Sequence, residues 1–101
     1  MPFVRVGKFK AKEEMIEDLC RIYAAEAIPA IRAARGNLGA FLLRPQQAAE
    51  DFMAMTVWRT KEDAELYDTS GQAKAMVDKI RTAFASAPTL LTFDAYGFDT
   101  H

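Results

Sequence analysis

The sequence predicts an α+β fold of four strands and two helices. Three observations carry it. Four short runs rich in Phe, Val, Leu and Met are too brief for helices. Two longer stretches between them repeat apolar residues at helical spacing, and single Gly, Pro and Ser residues separate the runs without leaving room for a linker or a repeat. A chain of 101 residues, half of them hydrophobic, buries roughly two thirds of its unfolded surface and builds one core. Residues 1–98 are expected to form one domain, and residues 99–101 a frayed tail.

Residues 3–9 mix Phe and Val with Arg and Lys and read as the first strand. From residue 12 to about 35, Met15, Leu19, Ile22 and Tyr23 fall on one side of a helix with Ile16 and Cys20 beside them. Glu13, Glu14, Glu17, Asp18 and Arg21 take the other side, and Glu17 and Arg21 are spaced for an i,i+4 ion pair. Pro29 has no N–H to give the carbonyl four residues back, so the helix is expected to bend near Ile28 and to end at Gly36. Residues 38–44 and 52–59 follow as two strands joined by a polar surface loop, residues 45–51. Thr60, with Asp63 three residues on, is a capping pattern that starts a helix at Lys61. Ser70 and Gly71 break that helix, and a second piece over residues 72–84 carries Ala73, Met76, Val77, Ile80 and Phe84 on one face. Ala87 and Pro88 end it, and residues 90–98 form the last strand.

This order is the ferredoxin-like, split βαββαβ plan. Right-handed crossovers put both helices on one face of a four-stranded antiparallel sheet of order 4-1-3-2. The other face is apolar too: Phe52, Ala54, Thr56 and Trp58 alternate with Met53, Met55 and Val57, and Leu91, Phe93 and Ala95 with Leu90, Tyr96 and Phe98. A half-solvated sheet alternates apolar with polar, so a homodimer through the sheet faces is expected.

The balance of 13 Lys+Arg against 14 Asp+Glu leaves no cationic excess to displace counterions, so no nucleic-acid partner is expected. One Cys forms no internal disulfide, and one His, at the last position, cannot partner a nucleophile or complete a metal site. The five glycines are scattered singly, which leaves no phosphate-binding loop. No apolar run reaches membrane-helix length, and the first residues lack the pattern of a secretory signal. The expectation is a cytoplasmic protein with no membrane partner, no metal and no cofactor.

The runs Asn37-Leu38-Gly39-Ala40-Phe41-Leu42-Leu43-Arg44, Met55-Thr56-Val57-Trp58-Arg59-Thr60-Lys61-Glu62-Asp63-Ala64 and Ser70-Gly71-Gln72-Ala73-Lys74-Ala75 resemble the antibiotic biosynthesis monooxygenase domain family, over nearly the whole chain. The resemblance implies a dimeric α+β barrel. It also implies, for some members, oxidation of aromatic phenols or quinols by dioxygen without metal or flavin; others degrade haem, detoxify, or have no known substrate. The polyketide-oxidising branch carries an Asn four residues before the strand-ending Trp and a Tyr six after it, where this chain has Ala54 and Ala64. Only Trp58 is retained. The Asn, Trp and axial His of the haem-degrading branch match Gly7, Tyr67 and Val77, so haem loses its anchor. Many other members have a His where Tyr67 stands.

The function this implies is a cofactor-independent monooxygenase acting on a small, electron-rich, phenol- or quinol-like aromatic. The alternative is a dimeric small-ligand-binding or structural protein on the same scaffold, and the remote one a haem-degrading monooxygenase. The catalytic candidates are Trp58, Tyr67 and Asp94, and the substrate-pocket candidates Tyr23, Met76 and Phe93. Each has a plainer reading: Trp58 and the methionines as core, the tyrosines with surface hydroxyls, and Asp94 as the cross-strand ion-pair partner of Arg5. Cys20 reads as an inert buried thiol.

Overall fold

The computed structural model describes residues 1–98; the tail expected at residues 99–101, with His101, lies outside them. Strands β1 (Phe3–Phe9), β2 (Asn37–Leu43), β3 (Phe52–Trp58) and β4 (Thr89–Asp94) form one antiparallel sheet in the order β2-β3-β1-β4, as the sequence predicts. Pairing of Phe3 with Trp58 and of Phe9 with Phe52 aligns the two central strands end to end. Their alternate residues Phe3, Phe9, Phe52, Ala54 and Trp58 face the helices in the main core. Val4, Val6 and Val57 form a second apolar cluster on the opposite face, flanked by Leu38, Met53, Met55 and Ala95. On that outer face Phe41 and Phe93 are 45% and 51% exposed.

The first helical segment is one continuous rod of changing pitch. A 3₁₀ turn, Glu13–Met15, leads into α1 (Ile16–Ile22), a π turn over Tyr23–Ala27, and α2 (Ile28–Arg32). The irregularity thus lies a turn upstream of the bend expected at Ile28, and the Ile28 N–H reaches back five residues to the Tyr23 carbonyl. Residue counting explains its position. Leu19 and Ile31 are both buried, yet they are twelve residues apart, whereas three α-turns hold about 11 residues. The wider π turn absorbs the surplus, which keeps Leu19, Tyr23, Ala27 and Ile31 in one buried row. It also opens the ladder where Pro29 cannot donate. Glu17 does not pair with Arg21; it meets Arg44 at 3.0 Å, while Arg21 reaches Asp18 at 3.4 Å.

Gly36 ends this segment in the left-handed region, φ 79°. A Cβ there would sit 2.1 Å from Asp63 Oδ2, so only glycine lets the turn lie against the next helix. That helix, α3 (Lys61–Thr69), is capped as expected: Thr60 Oγ1 accepts from the Asp63 N–H at 3.1 Å. Ser70 and Gly71 separate it from α4 (Gln72–Ile80), with Gly71 at φ 86°. A 3₁₀ turn, Arg81–Ala83, replaces the helical end expected to reach Phe84. Strand β4 stops at Asp94 instead of residue 98, because Asp94 pairs with Phe3, where β1 begins. One last bond, from the Ala95 N–H to the Pro2 carbonyl, closes the ladder. No helix among the described residues is long and apolar enough to cross a membrane.

Candidate active site

The helices do not close tightly on the sheet. Between them lies an apolar cavity of about 190 Å³. Its floor lies low because β1 and β3 place Gly7 opposite Ala54, two residues with little or no side chain. Trp58, Thr56 and Arg5 continue the floor on one side, and Phe9 with Phe84, ring centroids 4.7 Å apart, bounds the other. The roof is the buried row Tyr23, Ala27 and Ile31, completed by Ala73, Met76 and Ile80 from around α4.

Polar groups are few. The Trp58 indole N–H donates to Thr56 Oγ1 at 2.8 Å, which fixes the ring, and the Tyr67 ring packs on it at 5.4 Å between centroids, tilted by 38°. Tyr67 is 8% exposed, and its hydroxyl is buried without a hydrogen-bond partner among the described residues. Burial, and then the neighbouring Asp68, raise its pKa. Burial, with Tyr67 second, pushes Tyr23 up to about 12. Both phenols are therefore neutral O–H donors near pH 7 and are not bases. The charged members are Arg5 and Asp68, which form an ion pair at the cavity wall.

The structure brings Trp58, Tyr67, Tyr23 and Met76 together around this one space. Two candidates fall outside it. Phe93 lies on the outer face of the sheet with Val4, Val6 and Leu91, because β4 residues alternate and Phe93 pairs with Val4. Asp94 sits at the strand end in a separate depression with Phe3, Arg59 and Thr92. Arg5 lies opposite Thr92, not Asp94, so the expected Arg5–Asp94 pair is replaced by Arg5–Asp68. Sequence reasoning missed both residues of that pair as site residues. The available signal was position: Asp68 follows Tyr67 on a helix whose buried residues are Ala64 and Tyr67, which puts an acid at the rim.

Cys20 is partly buried, packed against the core and away from the cavity. No three His, Cys, Asp or Glu side chains among the described residues are grouped to hold a metal ion. Nor do the residues fit haem. Val77 offers no ligand atom, and the space is smaller than the roughly 300 Å³ at which cofactor-sized sites begin.

Residues 2–79 match the sequence profile described as antibiotic biosynthesis monooxygenase. No curated protein matches the chain. Among solved structures, the chain is similar to a Bordetella bronchiseptica protein assigned provisionally as an antibiotic biosynthesis monooxygenase, with TM-score 0.81, 18% identity and coverage of 94% of this chain and 97% of that one. It is similar to Rv0793 of Mycobacterium tuberculosis, with TM-score 0.79, 11% identity and coverage of 97% and 98%. A third structure, titled antibiotic biosynthesis monooxygenase, gives TM-score 0.78 at 19% identity over 95% and 99% of the two chains. At these identities the structural likeness establishes the fold alone.

Proposed function

The chain belongs to the antibiotic biosynthesis monooxygenase family, and from that premise we propose that it oxygenates a small, electron-rich, phenol- or quinol-like aromatic held in the cavity, with no bound cofactor. The observation that carries the reading is the cavity itself: an apolar space walled by Trp58 and Tyr67, the tyrosine with a buried hydroxyl that has no partner among the described residues.

In this reading the substrate supplies the electrons. Loss of the phenolic proton gives a phenolate that passes one electron to dioxygen, and the resulting radical and superoxide combine at a ring carbon. The hydroperoxide formed loses water to leave a quinone, so one oxygen atom enters the ring and the other leaves as water. The protein contributes the rest. Apolar walls exclude water, the Trp58 face orients the ring, and the neutral O–H groups of Tyr67 and Tyr23 donate to the negative oxygen as it forms. Asp68, the carboxylate in the wall, takes the proton. A second copy covers the outer face, where the groove among Val6, Phe41, Met55, Leu91 and Phe93 is lined almost wholly by apolar atoms.

Oxygen uptake against hydroquinones and substituted phenols, with a metal chelator present, tests this. Saturable uptake is expected, abolished in Ala54→Leu, which fills the floor opposite Gly7. No uptake from folded protein across the panel overturns it. The ligand-binding alternative is favoured by Ala54 and Ala64, which lack the polar groups of the polyketide-oxidising branch; saturable binding without oxygen consumption is its signature.

A further inference from the structure

We propose that the ligand of this cavity is a single-ring aromatic acid: its ring fills the apolar space, a ring oxygen accepts from the Tyr67 hydroxyl, and its carboxylate takes the Arg5 guanidinium in place of Asp68. The inference rests on reading the cavity as the substrate site and goes further by fixing the size and charge of what enters.

Size comes first. A dry apolar cavity of about 150 Å³ accepts benzene, so about 190 Å³ holds one ring and small substituents. Fused rings of two or three cycles need the larger volumes typical of drug-sized sites. Charge follows from Arg5. Among the described residues it is the one cation lining the cavity, and it projects from a central strand with its side chain only 19% exposed. Its partner Asp68 is 38% exposed and sits on the solvent side of the pair. An ion pair with one partner this accessible to solvent contributes little. A guanidinium facing a ligand carboxylate offers two parallel N–H donors in a planar fork.

The two recognition groups are neighbours. Asp68, on which Arg5 rests, follows Tyr67 directly in α3, and Arg5 pairs across the sheet with Thr56, the hydrogen-bond partner of Trp58. A carboxylate and a hydroxyl on one ring therefore meet complementary groups in the same wall. The Tyr67 hydroxyl gains the acceptor it lacks. Transfer of Arg5 to the ligand also releases Asp68, which is then free to accept the phenolic proton.

Trp58 is the chain's one tryptophan and lines the cavity, so its fluorescence reads binding directly. The full chain is titrated with phenol, 4-hydroxybenzoate, 2,5-dihydroxybenzoate and a three-ring hydroxyanthracene. The hydroxybenzoates are expected to bind at least tenfold more tightly than phenol, and the three-ring compound not to quench. In Arg5→Gln the ratio of phenol to hydroxybenzoate affinity collapses to about one. Asp68→Asn, which removes the competing carboxylate, tightens hydroxybenzoate binding severalfold and supplies the answer if the Arg5 variant does not fold. Equal affinity for phenol and hydroxybenzoate, a preference that survives Arg5→Gln, or binding of the three-ring compound overturns the proposal. Oxygen uptake has no part in this readout. A ring acid that binds without consuming oxygen defeats the monooxygenase reading and leaves this one standing; uptake with an uncharged quinol but no carboxylate preference does the reverse.

Discussion

Tyr67→Phe is the most informative single change, because it separates what the fold needs from what the site needs. The hydroxyl is buried and has no partner among the described residues, while its ring packs on Trp58. Leaving a buried polar group unsatisfied costs about 1–3 kcal/mol. The low end of that range, about 1 kcal/mol, is taken as the magnitude here. Phenylalanine keeps the ring contact and removes the cost, so the variant is expected to be more stable than the wild type. With an unfolding entropy of about 2.1 cal/mol/K per residue over 101 residues, 1 kcal/mol corresponds to a rise in Tm of about 5 °C. Thermal unfolding followed by circular dichroism measures it, and the same samples are expected to bind phenols more weakly. A fall in Tm refutes the reasoning, since it means that the hydroxyl already has a stabilising partner and is not held in reserve for a ligand.

Three other outcomes are expected. Gly36→Ala imposes a positive φ on alanine and drives its Cβ into Asp63; a loss of about 2 kcal/mol or more is expected in urea unfolding, with favourable coupling to Asp63→Gly in a double-mutant cycle. Tyr23 titrates at about 12 when folded against 10.0 otherwise; its raised pKa means that the native state holds its proton more firmly than the unfolded chain does. Its contribution is therefore complete below pH 10 and is lost towards pH 12, about 2–3 kcal/mol in all, and Tyr23→Phe flattens that alkaline limb of the urea midpoint. Phe93→Glu puts a charge on the outer apolar face; sedimentation equilibrium is expected to find a dimer for the wild type and a monomer for the variant, and a monomeric wild type refutes the proposed pairing of sheets.

Much of the fold was legible because it rests on local chemistry. The Thr60 cap, the Gly36 stop, the Ser70–Gly71 break and the strand order each follow from residue type and spacing. Three features were not legible, for related reasons. Asp94 was expected opposite Arg5, but it lies opposite Phe3, an offset of two residues. A two-residue slip leaves every side chain on the same face, so alternation cannot detect it. The Arg5–Asp68 pair joins a strand to a helix 63 positions away, and no spacing rule reaches that far. Phe93 was expected in the pocket, whereas its phase along β4 with Leu91 and Ala95 puts it on the outer face.

The π turn ties a sequence length to a sequence identity. The stretch over Tyr23–Ala27 carries one residue more than the surrounding α-helix needs, and Pro29 sits where that surplus has already opened the hydrogen-bond ladder. Deleting Ala24 alone leaves the proline inside a regular α-turn, which costs about 3 kcal/mol. Replacing Pro29 alone leaves the surplus residue in place, so the wide turn persists and the buried row stays aligned. Deletion of Ala24 together with Pro29→Ala restores an ordinary helix with Leu19 and Ile31 still in phase, and is expected to fold. The cavity roof is thus under joint control: losing the surplus residue is harmful while Pro29 stays, and tolerated when the proline five positions later goes with it.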